Sequence, residues 1–424
     1  MTPRRRLALL ICIGLLPPAA VAAAEPASRE ARREAILASP IRGVCGDVRL
    51  ADAVARGVNA VRTYSTPTRD ALDRLQTAGV RAIPGVWMPH EGRNTGKDGG
   101  TWNFSYARGG SKMLAEFATA LDRVGDHPAI LMWTLGNEVH LEPEYLGQVE
   151  RMSRLVHERF PAVLTSLTII NAPAESLALI REHAPDIDLV GVNAYGQGAI
   201  ANAIRSLDEH WGGPFYFSEF NATGPWWGPQ ASWGPRFEPS GPRKVAEIAG
   251  SWRLMRAADR CAGGCLFQWG FWQRERITYF SGLLPADPFQ ADLPEAALRF
   301  TPVADELARQ WAGRPPRSLA PVLERIAIDG RSNQDIIVPP GGMLAAAAVA
   351  RDPDTPPARL RYRWWIARES GGRLKPVAGP VDSVTPAARI EAPDEPDRPF
   401  VLLCLVLDDE SGVCGTTLPF RTAK

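Results

Sequence analysis

Two apolar runs in this chain each carry a glutamate at or beside their end: Trp133-Thr134-Leu135-Gly136-Asn137-Glu138 and Phe215-Tyr216-Phe217-Ser218-Glu219-Phe220. A strand that buries its apolar residues and carries a carboxyl at its end puts that group on the rim of a sheet, where it meets solvent and ligand. Two such carboxyls on one rim can share the cleavage of an acetal. One protonates the leaving oxygen and the other attacks the anomeric carbon, at a separation of about 5–5.5 Å. The roles need opposite protonation states, so the two surroundings must push the pKa values apart, with Glu138 as acid/base and Glu219 as nucleophile. Glu142 and Glu144, just downstream, read instead as charges at a helix start.

Other residues could support that chemistry. Arg62, in Val61-Arg62-Thr63-Tyr64-Ser65-Thr66, is a candidate partner for Glu219, with a structural salt bridge as its alternative. Tyr195, in Val192-Asn193-Ala194-Tyr195-Gly196, is a candidate donor to the same carboxylate. Trp269, in Phe267-Gln268-Trp269-Gly270, is a candidate floor for a sugar ring, and core packing explains it almost as well. The chain has 13 Trp, and flat aromatic faces suit sugar rings, so Trp226, Trp227, Trp233 and Trp87 are candidate platforms for further sugar units. His90 and His140 fall near the same rim. The 6 His are scattered and the cysteines show no paired metal spacing, so neither a metal nor a cofactor is expected.

Positioning these groups requires a scaffold. Short apolar runs alternate with helical periodicity from Ile41 to about Gly313, as βα units of a parallel sheet do. The expected strands are Arg42–Gly46, Asn59–Ser65, Arg81–Met88, Ile130–Glu138, Ala162–Ile170, Ile187–Gly196, Pro214–Phe220 and Gly264–Trp272. Met113, Phe117, Leu121 and Val124 line one helical face between them, as do Tyr145, Val149, Met152 and Val156. Eight units fit a (β/α)8 TIM barrel, whose catalytic groups stand at the carboxyl ends of the strands. Strands four and seven, which carry the glutamates, face each other across such a ring. After Arg314-Pro315-Pro316-Arg317 the helical period disappears, and runs such as Leu360–Ile366, Ala388–Ala392 and Phe400–Leu407 alternate with turns. We therefore expect a barrel over residues 25–313 and a small all-β immunoglobulin-like sandwich over 314–424.

His127-Pro128-Ala129-Ile130-Leu131-Met132-Trp133-Thr134-Leu135-Gly136-Asn137-Glu138 resembles the acid/base strand of family 2 in the clan of retaining (β/α)8-barrel glycoside hydrolases, and Ser218-Glu219-Phe220 is similar to its nucleophile strand. The resemblance covers residues 41–313. It implies that Asn137 binds the sugar 2-hydroxyl, a contact that tightens in the transition state. Val61-Arg62-Thr63-Tyr64-Ser65-Thr66 looks more like family 17, and Asn221 stands where the resemblance would place a Gly.

The N-terminus runs from Arg4-Arg5-Arg6 through apolar Leu7–Leu16 to Val21-Ala22-Ala23-Ala24, the order of a secretory signal spanning residues 1–24. A lipoprotein reading through Leu9-Leu10-Ile11-Cys12 is the weaker alternative. Periplasmic or secreted localisation follows, and the apolar stretch is too short to be read as a membrane span of about 20 residues. With 48 basic and 47 acidic residues, composition offers no electrostatic case for nucleic acid or an anionic membrane surface. In an exported protein Cys404 and Cys414 can form a cross-strand bridge, with buried free thiols as the equal alternative. The expected activity is double-displacement hydrolysis of a β-linked glucan or oligosaccharide. Transglycosylation on the same intermediate, a non-catalytic sugar-binding barrel and a metal-dependent hydrolase are the competing readings.

Overall fold

A computed structural model of the chain describes residues 28–90, 92–95, 101–271, 277–290 and 292–424. The expected signal segment and Trp272 lie outside the described residues. Eight parallel strands are β1 (Ile41–Cys45), β2 (Ala60–Arg62), β3 (Arg81–Ile83), β4 (Met132–Asn137), β5 (Leu164–Ile170), β6 (Leu189–Tyr195), β7 (Phe215–Asn221) and β8 (Cys261–Leu266). They pair in the order β3-β2-β1-β8-β7-β6-β5-β4. Pro84, which has no N–H for a ladder, interrupts the third strand, and the chain resumes as Gly85–Val86. That short continuation pairs with β4, and Ala82 bridges to Ile130, so the ring closes. The fold is a (β/α)8 barrel.

The alternation of strand side chains sorts the barrel into two apolar layers. Ile41, Cys45, Ala60, Ile83, Met132, Leu164, Leu189, Tyr216 and Cys265 fill its interior. Trp133, Leu135, Phe215, Phe217 and Phe220 face outward into the larger core beneath the helices. The expected helical stripes contribute to that layer from α4 (Tyr106–Val124) and α5 (Pro143–Arg159). Inside the ring, Tyr216 Oη, Thr134 Oγ1 and Ser166 Oγ form a small polar cluster, with Thr134 and Tyr216 2.9 Å apart. Near the base of the ring, Arg32 of α1 (Arg29–Ala38) donates to the Ile130 carbonyl at 2.8 Å.

Beyond α9 (Pro302–Trp311) no helix or strand occurs before β9 (Val322–Ile328). The C-terminal strands continue as β10 (Ile337–Val338), β11 (Met343–Arg351), β12 (Arg361–Ser370), β13 (Arg373–Ser383), β14 (Ala387–Glu391), β15 (Pro399–Leu407) and β16 (Val413–Thr422). A three-stranded sheet, β9-β11-β14, faces a five-stranded sheet, β10-β16-β15-β12-β13. Leu344, Tyr362, Trp364, Leu402 and Phe420 are among the residues packed between them. On its other face the larger sheet sets Trp365, Leu403 and Leu405 against Ile277 and Leu284, which follow the last barrel strand. The sandwich is therefore packed onto the barrel through apolar contact.

Of the two readings open for Cys404 and Cys414, buried free thiols hold and the cross-strand bridge is not formed. Cys404 lies opposite Thr416 and Cys414 opposite Val406, and this diagonal offset of about 7–8 Å exceeds the reach of a relaxed disulfide. All five described cysteines are free and buried.

Candidate functional site

Glu219 stands near the end of β7 and is 5% exposed. Its Oε1 accepts from Arg62 Nη1 at 2.7 Å and from Tyr64 Oη at 2.6 Å, and its Oε2 accepts from Tyr195 Oη at 2.5 Å. Three donors, one of them charged, are what a carboxylate needs when it is withdrawn from water. Burial above all, with the Glu219 charge contributing, pushes the Tyr64 and Tyr195 phenols well above their usual value, so both remain donors. Arg62 and Tyr64 are two residues apart along the second strand direction and reach the same side, as do Asn193 and Tyr195 on β6.

Glu138 has a different setting. Its Oε1 accepts a single amide hydrogen bond, from Asn193 Nδ2 at 2.8 Å. Burial raises its carboxyl above the usual value; the Asn193 amide opposes that shift and the Glu219 charge reinforces it. Asn193 also donates to Asn137 Oδ1 at 3.2 Å and accepts from Ser218 Oγ at 2.8 Å. Arg62 Nη2 reaches Asn137 Oδ1 at 2.6 Å. One continuous network thus joins both carboxylates through Asn193, Asn137 and Arg62. Because Arg62 can only donate, the Asn137 oxygen must face it, which leaves Asn137 Nδ2 without a protein acceptor among the described residues.

Local backbone geometry brings these groups together. Gly136 has φ 90°, and a Cβ there would lie 2.2 Å from Tyr145 Oη, the hydroxyl that donates to the Leu135 carbonyl. Glu138 follows at φ 56°, a left-handed conformation uncommon for a side chain of this size. The strand end is thereby turned so that consecutive residues Asn137 and Glu138 both reach the network.

No protein-family model matches the sequence, and no curated protein sequence matches it. Solved structures do match. β-Glucuronidase 2 of Bacteroides uniformis, covalently bound to cyclophellitol-6-carboxylate aziridine, is 14% identical with a TM-score of 0.47, over 91% of this chain and 46% of that one. A glycosyl hydrolase family 2 member from Bacteroides cellulosilyticus is 14% identical with a TM-score of 0.42, over 94% and 44%. A family 2 β-galacturonidase from Eisenbergiella tayi bound to galacturonate is 16% identical with a TM-score of 0.41, over 54% and 44%. This chain spans a little under half the length of each. They are likenesses at low identity, and the barrel assignment stands on the strand order and ring closure described above.

The aromatic candidates separate into three groups. Trp226, 44% exposed, stacks on Phe280 with ring centroids 5.7 Å apart and meets the Tyr195 ring edge-on at 5.2 Å. Trp227 and Trp87 are exposed. Trp269 corrects the expectation of a sugar floor: it is 2% exposed, packs near Phe300, and its Nε1 donates to the Val48 carbonyl at 2.8 Å. Core packing claims it, because the chain leaves the ring after Leu266 and carries Trp269 outward. Trp233 is likewise withdrawn, packed against the core of the sandwich. Trp269→Phe is expected to lose about 1–3 kcal/mol of stability while kcat/KM stays within twofold or so, measured by denaturant titration and steady-state kinetics.

His140 donates its backbone N–H to His90 Nδ1 at 3.5 Å, and the two ring centroids lie 5.5 Å apart. Asn221, at the position where Gly was expected, donates from Nδ2 to the carbonyls of Phe267 and Phe280. It fastens the segments beyond β8 to the rim. Sequence reading missed Tyr64, Asn193, Phe267 and Phe280. The first two were findable, since each lies two positions from a chosen residue on the same strand face. Phe267 and Phe280, which contact the Tyr195 ring at centroid distances of 6.2 and 5.0 Å, lie beyond β8 and carry no such periodic signal. Among the described residues no cluster of three His, Cys, Asp or Glu could hold a metal ion.

Proposed function

We propose that this chain is a retaining β-glycosidase acting by double displacement. The observation that carries the reading is the contrast between two linked carboxylates: Glu219 with three donors, Glu138 with one amide donor and a raised pKa. In the first step Glu219 attacks the anomeric carbon while Glu138 gives its proton to the departing glycosidic oxygen. The C–O bond to the leaving group breaks as the glycosyl ester forms. In the second step Glu138 takes a proton from water, whose oxygen displaces Glu219 and regenerates the carboxylate. Asn137 Nδ2, without a protein partner, supports a contact to the sugar 2-hydroxyl.

The test uses β-1,2-, β-1,3-, β-1,4- and β-1,6-linked glucans and galactans, with time-resolved proton NMR of the first product. A β-anomer is expected. An initial α-anomer, or cleavage of none of these glycans or of their aryl glycosides, removes the reading. The N-terminal segment supports export to the periplasm or beyond, which sequencing the N-terminus of the mature protein tests. Among the described residues no helix is long and apolar enough to cross a membrane.

Asn193 gives a second prediction. Its amide hydrogen bond favours the ionised form of Glu138, so Asn193→Ala should raise the acid's pKa further. The basic limb of the kcat/KM profile, where the acid loses its proton, then moves to higher pH, and kcat falls about tenfold or more as Glu138 loses its orientation. A basic limb that stays in place while kcat falls would assign Asn193 to packing alone.

A further inference from the structure

Beside the carboxylate network a cleft of about 350 Å³ opens between the ends of β5 and β6 and the segment after β7, lined by Asn171, Tyr195, Asn202, Thr223 and Trp227 with small residues of the adjoining helix. We propose that this cleft is a second sugar subsite that takes a neutral unit of a β-linked chain, next to the unit cleaved by Glu138 and Glu219. The inference deepens the glycosidase reading and depends on it for the identity of the ligand.

Four features carry it. Tyr195 belongs to both places: it is one of the residues lining the cleft, and its hydroxyl donates to Glu219 at 2.5 Å, so a single residue links the cleft to the carboxylate network. Trp227 is 64% exposed, and a large indole left in solvent at a cleft wall offers the flat face on which the C–H side of a pyranose packs. Asn171 and Asn202 are exposed and their carboxamides have no protein partner among the described residues, which leaves donors and acceptors for hydroxyls. No charged side chain lines the cleft, so a uronate or a phosphorylated sugar would find no counter-ion there.

The backbone beneath Asn171 is also specialised. Asn171 and Ala172 have φ 54° and 51°, two consecutive left-handed residues of which neither is glycine. Hydrogen bonds hold this conformation: Asn171 N–H donates to the Asn193 carbonyl at 3.1 Å, and Ser206 Oγ donates to the Ala172 carbonyl at 2.6 Å. Strain sustained in this way at the end of a barrel strand marks a place where side-chain direction matters.

The test compares a neutral β-linked trisaccharide with the matching β-glycosyl fluoride, whose leaving group is a single atom and cannot reach the cleft. Trp227→Ala and Asn171→Ala/Asn202→Ala are each expected to lower the ratio of kcat/KM for trisaccharide over fluoride about tenfold, the loss of one or two hydrogen bonds or a stacking surface. An unchanged ratio in both variants overturns the subsite. So does a trisaccharide carrying a uronate that depends on these residues while the neutral one does not. Calorimetric binding of the neutral trisaccharide to Glu219→Gln protein, with and without the two Asn changes, judges the subsite apart from turnover. Weaker binding with the Asn changes supports it even if wild type cleaves neither substrate, in which case the glycosidase reading alone fails; equal binding overturns it.

Discussion

Glu219→Gln is expected to lower kcat on every β-glycoside the wild type cleaves by on the order of 10⁴-fold or more, with the fold retained. The amide keeps the shape of the carboxylate but cannot form the glycosyl ester, so the first displacement is lost. Its NH2 group must also face at least one of the donors from Arg62, Tyr64 and Tyr195 that now surround the carboxylate, which disturbs the network without opening a cavity. Steady-state kinetics gives the rate, and circular dichroism with thermal melting checks the fold. A variant that folds and keeps wild-type turnover would exclude Glu219 as nucleophile. A variant that melts early would call for Glu219→Asp, which keeps the charge and withdraws it by one methylene.

The second large effect concerns stability. Glu238, in the segment after β7, forms a buried ion pair with Lys244 of α8 (Gly241–Ala257). Its Oε2 accepts from Thr278 Oγ1 at 2.6 Å, from Thr417 N–H at 2.8 Å and from Thr417 Oγ1 at 2.7 Å. Lys244 Nζ also donates to the Thr278 carbonyl at 2.9 Å. Thr417 belongs to β16 of the sandwich, so one carboxylate ties two barrel segments to the second set of sheets. Glu238→Ala leaves Lys244 charged and buried with a carbonyl as its remaining hydrogen-bond partner, and strands the Thr417 donors. A loss of about 3–5 kcal/mol is expected in denaturant unfolding. Glu238→Leu combined with Lys244→Met removes both charges and should recover much of that loss. A loss below about 1 kcal/mol for Glu238→Ala would mean that water reaches the pair and screens it.

Much of the scaffold was legible because burial leaves a periodic trace. All eight expected barrel strands form, since runs such as Ile187–Gly196 have no other way to bury so many apolar residues over so short a length. The switch to alternating strands after Arg314–Arg317 announced the sandwich for the same reason. Arg62 and Tyr195 could be chosen because each ends an apolar strand run; the structure keeps strict alternation there, so Ala60, Arg62 and Tyr64 share one side of the barrel, as do Leu189, Asn193 and Tyr195. Long-range contacts left no such trace. Phe280 reaches Tyr195 only because the segment beyond β8 folds back over the rim, and Trp269 lies in the core because that same segment first leads outward.

The two glutamates mark the division most clearly. Residue type and position at the end of an apolar run, both plain in the sequence, were enough to choose Glu138 and Glu219. Their direction was not. Tyr216 points into the barrel, so strict alternation would send Glu219 outward with Phe217; Met132 and Thr134 also point inward, and alternation from them would turn Asn137 away. The register of β7 slips between Tyr216 and Glu219, and that of β4 slips between Thr134 and Asn137. Each slip shifts the alternation by one residue, bringing Glu219 and Asn137 to the rim network while Phe220 enters the outer core. Residue identity is local information, whereas strand register is settled by the neighbouring strands and by the shape of the closed ring.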